Sequence, residues 1–433
     1  MNGGAGAWPT GALATEPVGS LPRPARLQRA VLDAEAGLAD PAELATEQER
    51  AVRDTLARMA ETGSPILSDG EQRRQSFASY PLGPAPDPAE VTEGPVFAVF
   101  ADGHHRVVPS LARAPFAFRA WAADDVARAR TITAHPLKQA VVSPSMLSLM
   151  VPEGGIGAHA REDILDDIVA GCAEDIRRCF AAGASRVSID FTEGRLALRR
   201  DIRAPWAGPE ALGGFIGLIN RVLDLLPPEQ RAAVGVHTCP GNDQDSAHSA
   251  EVDYAELLPE LFQIEAGYFL VQAAGEAEPD RVARLIGRQL RSGAGSGRGP
   301  RVLLGVTDPT SPKLETAEEV RDQLVRAARF IDPERLGSTD DCGFSPYLID
   351  EKPRHGSPDF ARDVAFAKIA ARVRGTALAT AELAGAASPV LAASAVPPVS
   401  AVPPAAAVPP VSAVPPVSAV PPASAAPGAG RAG

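Results

Sequence analysis

The sequence predicts an α/β fold, a (β/α)8 TIM barrel with an inserted β-hairpin and a disordered Pro-rich C-terminal tail. Three observations predict it. Short β-branched runs alternate with amphipathic stretches, the pattern of a parallel sheet. Eight such units fit into about 370 residues, inside the usual range for this barrel. Ionisable residues collect just after the runs, at the end where barrel enzymes keep their chemistry. In chain order the strand candidates are a weak Leu13–Val18, then Pro65–Ser68, Gln139–Ser143, Arg186–Asp190, Ala233–His237, Tyr268–Val271, Arg301–Val306 and Leu336–Thr339. Helices are expected over Ala42–Ala60, Glu162–Ala182, Ala211–Leu226 and Thr316–Phe330, with Gly63 and Gly183 as C-terminal caps. Val96–Val108, turning at Asp102-Gly103, reads as the hairpin inserted after the second strand. No Gly-x-Gly-x-x-Gly follows a strand, which disfavours a doubly wound nucleotide-binding fold.

The folded part is expected over 12–385 and the tail over 386–433. From Ala395 the tetrapeptide Ala-Val-Pro-Pro recurs five times at a six-residue period. Paired prolines remove backbone donors and fix φ, so the segment suits an extended polyproline-II chain. A passive spacer is the expected role, and a ligand for a Pro-binding module is the alternative. The 433 residues carry a formal charge of −12 with no basic block, so neither nucleic acid nor an anionic membrane is an expected partner. No apolar run reaches the ~18–20 residues of a bilayer span. The first residues lack the basic and apolar regions of a secretory signal. Four scattered cysteines (Cys172, Cys179, Cys239, Cys342) do not make a disulfide framework, which places the chain in a reducing cytoplasm.

The strand ends carry the chemistry. They include Gly19-Ser20, Asp69-Gly70-Glu71, Asp190-Phe191-Thr192-Glu193, His237-Thr238-Cys239, Thr307-Asp308 and Asp341-Cys342. Residues two apart on a strand share a face, so His237 and Cys239 converge inward. Cys342, from the last strand end, faces the same mouth. One imidazole and two thiolates suit Zn²⁺ and leave a position open for substrate. Cys172 and Cys179, seven apart in a helical run, read as core. An open zinc either activates water or lowers the pKa of a substrate thiol, and thiolate-rich coordination favours the second.

Six ordered motifs resemble the cobalamin-independent methionine synthase family, in its catalytic C-terminal barrel and its single-barrel relatives. They are Val-Gly-Ser-Leu-Pro-Arg-Pro (18–24), Ser-Asp-Gly-Glu (68–71), Ile-Asp-Phe-Thr-Glu-Gly (189–194), Val-His-Thr-Cys (236–239), Thr-Asp-Asp-Cys-Gly-Phe (339–344) and Ala-Phe-Ala-Lys-Ile (365–369). The resemblance implies a zinc-dependent methyltransferase acting on a small thiol, homocysteine, with a methyl donor of the methyltetrahydrofolate or methylcorrinoid kind, in methionine biosynthesis. Under it His237, Cys239 and Cys342 match the zinc ligands. Ser20 matches the residue that holds the amino acid's carboxylate, and Glu71 and Asp190 match the acids that take its ammonium group.

The chain also departs from the family. A fourth zinc ligand, a glutamate, is replaced by Gln272, so Glu276 four residues on, or water, is expected to complete the set. The family's proton-relay histidine is matched by Thr310. Glu193 and Asp308 are then the acids proposed for proton transfer, with Asp341 a further acid at the mouth. An epoxyalkane–coenzyme M transferase-like activity is the alternative; its sulfonate thiol would need Arg73, Arg74 or Arg195. A non-enzymatic binding role survives only without zinc.

Overall fold

The computed structural model describes residues 8–385 apart from 39, 85, 86, 88, 200–203, 205, 293–298 and 350–353. The tail expected over 386–433, with its possible Pro-binding ligand, lies outside the described residues. Seven strands form one parallel sheet: β1 (Ala14–Thr15), β4 (Lys138–Val142), β5 (Arg186–Asp190), β6 (Val234–Thr238), β7 (Tyr268–Val271), β8 (Arg301–Gly305) and β9 (Leu336–Thr339). Their order is β1-β9-β8-β7-β6-β5-β4, which sets the last strand against the first. Strands β2 (Val96–Val99) and β3 (His105–Val107) pair antiparallel outside that sheet.

Beside β4 the chain at Leu67 makes a single parallel bridge to Leu137, with Leu67 N donating to Pro136 O at 2.9 Å and Lys138 N to Leu67 O at 2.8 Å. Pro65 has no N–H to extend the ladder, and the Ser64 hydroxyl donates to the Ile66 carbonyl at 2.7 Å. Pairing therefore stays at one rung instead of running over Pro65–Ser68. Pro17 likewise ends β1 well short of Val18.

Every residue of β4, β5, β6 and β7 is buried. That two-sided burial is why these runs read as continuous rather than alternating. Helices cover the sheet. α1 (Pro41–Glu61) starts where Asp40 accepts from Ala42 N at 2.8 Å with Pro41 in the first turn, and it stops at Gly63, whose φ is +79°. α2 (Arg161–Ala181) buries Ile164, Ile168, Cys172, Ile176 and Cys179 along one face and ends before Gly183 at φ +102°. α3 (Pro209–Asp224), α4 (Ala317–Ala327) and α5 (Pro358–Leu383) complete the long cover. Among the described residues, no helix is long and apolar enough to cross a membrane.

Candidate metal centre

β6 ends in His237 and Thr238, and the chain continues through Cys239 with both side chains buried. β9 ends at Thr339, three residues before Cys342. The two strands are not sheet neighbours, yet the ligand atoms of His237, Cys239 and Cys342 all lie within 4.8 Å of one another. Cys239 Sγ stands 2.9 Å from Cys342 Sγ, and Gly241 N donates to Cys239 Sγ at 3.3 Å. His237 Nδ1 donates to Asp190 Oδ1 at 3.1 Å. With Nδ1 taken, Nε2 is the nitrogen left to ligate, the arrangement in which a carboxylate fixes the tautomer of a metal-binding imidazole.

The electrostatics prepare this group. The Cys342 thiol is held well below the ordinary range, first by the hydrogen bond from Cys239 and then by His237. Cys239 is pushed up by burial and by its partner sulfur. Burial pulls the His237 imidazolium down, but Asp190 and Cys342 outweigh it and raise it to about 10. These shifts favour an ionised Cys342 beside a protonated His237. One imidazole with two thiolates is a donor set that fits zinc, and His237 and Cys239 would each give up a proton to hold it.

A cleft of about 530 Å³ opens over Cys342, and Ser20, Glu71, Asp190 and His237 line it too. Two glycines make the close approach possible. A Cβ on Gly343 would sit 2.3 Å from Ser20 Oγ, and one on Gly19 would sit 2.6 Å from Glu71 Oε1. Glu71 itself has φ +57°, a left-handed conformation strained for a side-chain-bearing residue. Asp69 Oδ1 secures it by accepting from Glu71 N at 2.9 Å. Burial raises the Glu71 carboxyl to about 7, against the pull of Arg74, and its Oε2 has no hydrogen-bond partner.

The fold has known counterparts. A B12-independent methionine synthase from a Shewanella species, solved in complex with selenomethionine, superposes with a TM-score of 0.62 at 22% identity, over 86% of this chain and 99% of that one. A putative vitamin-B12-independent methionine synthase from Listeria monocytogenes gives 0.58 at 16% identity, over 84% and 98%. The fold is that of the cobalamin-independent methionine synthases. In sequence the chain is 23% identical over 347 residues to 5-methyltetrahydropteroyltriglutamate–homocysteine methyltransferases of Mycobacterium bovis and Mycobacterium tuberculosis. The match takes in 78% of this chain and 41% of those relatives. No family model matches the chain.

On this methionine synthase fold, two expected residues stand apart from the three ligands. Glu276 Oε1 accepts from Arg195 Nη1 at 2.7 Å, and among the described residues it does not join His237, Cys239 and Cys342. Glu276, expected as a further ligand, is here held in an ion pair by the buried Arg195. Gln272 Oε1 accepts from the same Arg195 nitrogen at 2.9 Å. Asp308 Oδ1 is occupied by Thr310 N at 2.9 Å and Thr310 Oγ1 at 2.6 Å, and it lines a separate hollow with Lys313 and Glu315. Glu193 is fully buried and does not line the cleft. Its Oε1 accepts from the Ser143 and Ser145 hydroxyls, its Oε2 has no partner, and burial raises it to about 7. Asp341 is an anchor: Oδ1 accepts from Ala273 N and Ala274 N, and Oδ2 from Gly275 N.

The cations proposed for a sulfonate thiol are committed elsewhere. Arg74 pairs with Asp125 at 2.9 Å, Arg195 with Glu276, and Arg73 lines a different hollow. Sequence reasoning missed Asn242, His248 and the aromatic residues Phe97 and Phe100, all of which line the cleft with Thr192. Only Asn242 and His248, a few residues past His237-Thr238-Cys239, carried any signal for finding them.

Proposed function

We propose that the chain is a zinc-dependent thiol S-methyltransferase that converts homocysteine to methionine. The observation that supports it most directly is the meeting of His237, Cys239 and Cys342 within 4.8 Å beside a cleft lined by two acids. In this reading the sheet closes as a (β/α)8 barrel with the Leu67 segment as its eighth stave. Residues 12–385 form the catalytic unit, 386–433 an appended tail, and the protein works in the cytoplasm. Bound zinc supplies a Lewis acid that lowers the pKa of an incoming thiol. The fourth ligand position is left to water or to that thiol, because Arg195 holds both Gln272 and Glu276.

The protein's own residues do the rest. Glu71 and Asp190 receive the ammonium group of an amino-acid thiol, and Ser20 receives its carboxylate. Asp190 also orients His237. Glu193, buried beneath the mouth, is a proton-bearing carboxyl near neutrality rather than a group in contact with substrate. The donors that come with the likeness are methyltetrahydrofolate and methylcorrinoids. The test is metal analysis of the purified chain followed by assay with homocysteine. About one zinc per chain and formation of methionine are the expected results. Absence of zinc, or no binding of homocysteine to the zinc protein, overturns the proposal.

A further inference from the structure

The cleft has a second half that thiol activation leaves unexplained. Phe97 and Phe100 line it with their rings set edge-on against His248, at 5.9 and 5.4 Å. Phe77 and Tyr347 line it as another edge-to-face pair, 6.3 Å apart. Four aromatic rings therefore share one cavity with the carboxylates of Glu71 and Asp190. Among the described residues that line it, none is Lys or Arg. The cations nearby are turned to other work. Arg106 lies over Tyr347 at 4.5 Å but pairs with Asp243 at 2.7 Å, and Arg199 donates to the carbonyls of Val99 and His248. His248 is uncharged, because burial and then Arg199 and Arg195 push its imidazolium down to about 3.

A cavity lined by four aromatic rings and two acids, with no Lys or Arg among its described lining residues, suits a cationic group. Ring quadrupoles bind desolvated quaternary cations in the same way. The acceptor takes its place at Cys342, so the second substrate is confined to the aromatic half of the cleft. Two further buried atoms, Thr192 Oγ1 and Asn242 Nδ2, have no hydrogen-bond partner and are free to meet a polar group on it.

From these observations we infer that the methyl donor is a small methylated onium compound, a sulfonium or a quaternary ammonium, with its cationic head among Phe77, Phe97, Phe100 and Tyr347. This rests on the thiol-acceptor half of the function proposed above and departs from it on the donor. The step balances without a proton donor. The acceptor's thiolate sulfur forms a bond to the methyl carbon, and the carbon–sulfur or carbon–nitrogen bond of the onium breaks. Its electron pair stays on the leaving atom, which departs as a neutral sulfide or tertiary amine, and one negative and one positive charge cancel.

The inference is tested first by binding, without turnover. Calorimetry on the full chain, metal-free and zinc-loaded, compares glycine betaine and S-methyl-L-methionine with 3,3-dimethylbutanoate, the uncharged-head isostere of betaine. At least one onium probe is expected to bind about tenfold or more tighter than the isostere. Phe100→Leu should erase about tenfold of that preference and Phe100→Tyr should retain it, with circular dichroism confirming that both variants fold. Equal binding of charged and uncharged heads overturns the inference. The second arm offers each probe to the zinc protein with homocysteine. Transfer from S-methyl-L-methionine alone identifies a sulfonium donor, transfer from betaine alone a quaternary ammonium, and transfer from neither overturns the inference. If methyltetrahydrofolate or methylcobalamin supports methionine formation while no onium binds, the donor inference falls and the methyltransferase reading stands. If homocysteine itself does not bind, the methyltransferase reading falls, and the isostere comparison still decides the onium question.

Discussion

Two pairs of cysteines are equally buried and chemically unlike. Cys172 and Cys179 lie on the inward face of α2, and burial pushes both thiols well above the ordinary range. Cys239 and Cys342 arrive from two strand ends, their sulfurs 2.9 Å apart beside His237, and Cys342 is pulled down. Removal from water alone makes a thiol inert. Convergence with a hydrogen-bond donor and an imidazole lowers the Cys342 thiol and leaves Cys239 raised, so only one of the pair is readied for ionisation.

Breaking the convergent pair should have the largest effect. Cys239→Ser or Cys342→Ser is expected to take zinc content from about one per chain to near zero by elemental analysis, with loss of methyl transfer. Zinc retained in both variants would erase the distinction between the pairs.

Two buried carboxyls, both raised by burial, differ in how fully they are hydrogen-bonded. Asp175, between the helical cysteines, has both oxygens engaged, accepting from Tyr80 Oη at 2.6 Å and Ala122 N at 2.9 Å. Glu193 keeps Oε2 unpartnered and is raised from 4.5 to about 7 by burial. A folded-state pKa above the unfolded value means the native state holds the proton more tightly. The resulting stability is present in full below about pH 4.5 and is lost as pH rises to about 7. Glu193→Gln removes that loss. The variant should match the parent at pH 4 and exceed it by about 3 kcal/mol at pH 8 in denaturant unfolding. A parallel pH dependence in both proteins would rule the effect out.

Asp190→Asn sharpens the comparison at the third ligand. It keeps the shape but weakens the hold on His237 Nδ1, and zinc affinity should fall about 10- to 100-fold in competition with a chelator. The smallest effect belongs to the other pair. Cys172→Ala should cost about 1 kcal/mol of stability and leave zinc content unchanged.

Much of this was legible beforehand, for local reasons. His237 and Cys239 share a strand end, so a two-residue spacing sufficed to place them together. Cys342 was placed correctly because the last strand of a barrel returns to the common mouth. The sheet's buried strands were readable from continuous β-branched runs. The Pro65–Ser68 strand shrank because Pro65 and the Ser64 hydroxyl interrupt its ladder. The Arg195–Glu276 pair was not legible, because the two residues lie 81 positions apart in sequence and meet only once the chain is folded. Phe97 and Phe100 were invisible as cleft residues for the same reason, and His248 had only its place after Cys239 to point to it. An aromatic residue in a strand pattern reads as core, and only the path of β2 and the loop after β6 brings these three over Cys342.

Position 71 sets fold robustness against turnover. A glycine there would relieve the left-handed backbone, worth about 1–2 kcal/mol, and remove a carboxyl that resists burial. Selection for heat tolerance alone should therefore enrich Glu71→Gly, and under the proposed function the hardier molecules it recovers would be those that no longer grip the amino-acid thiol.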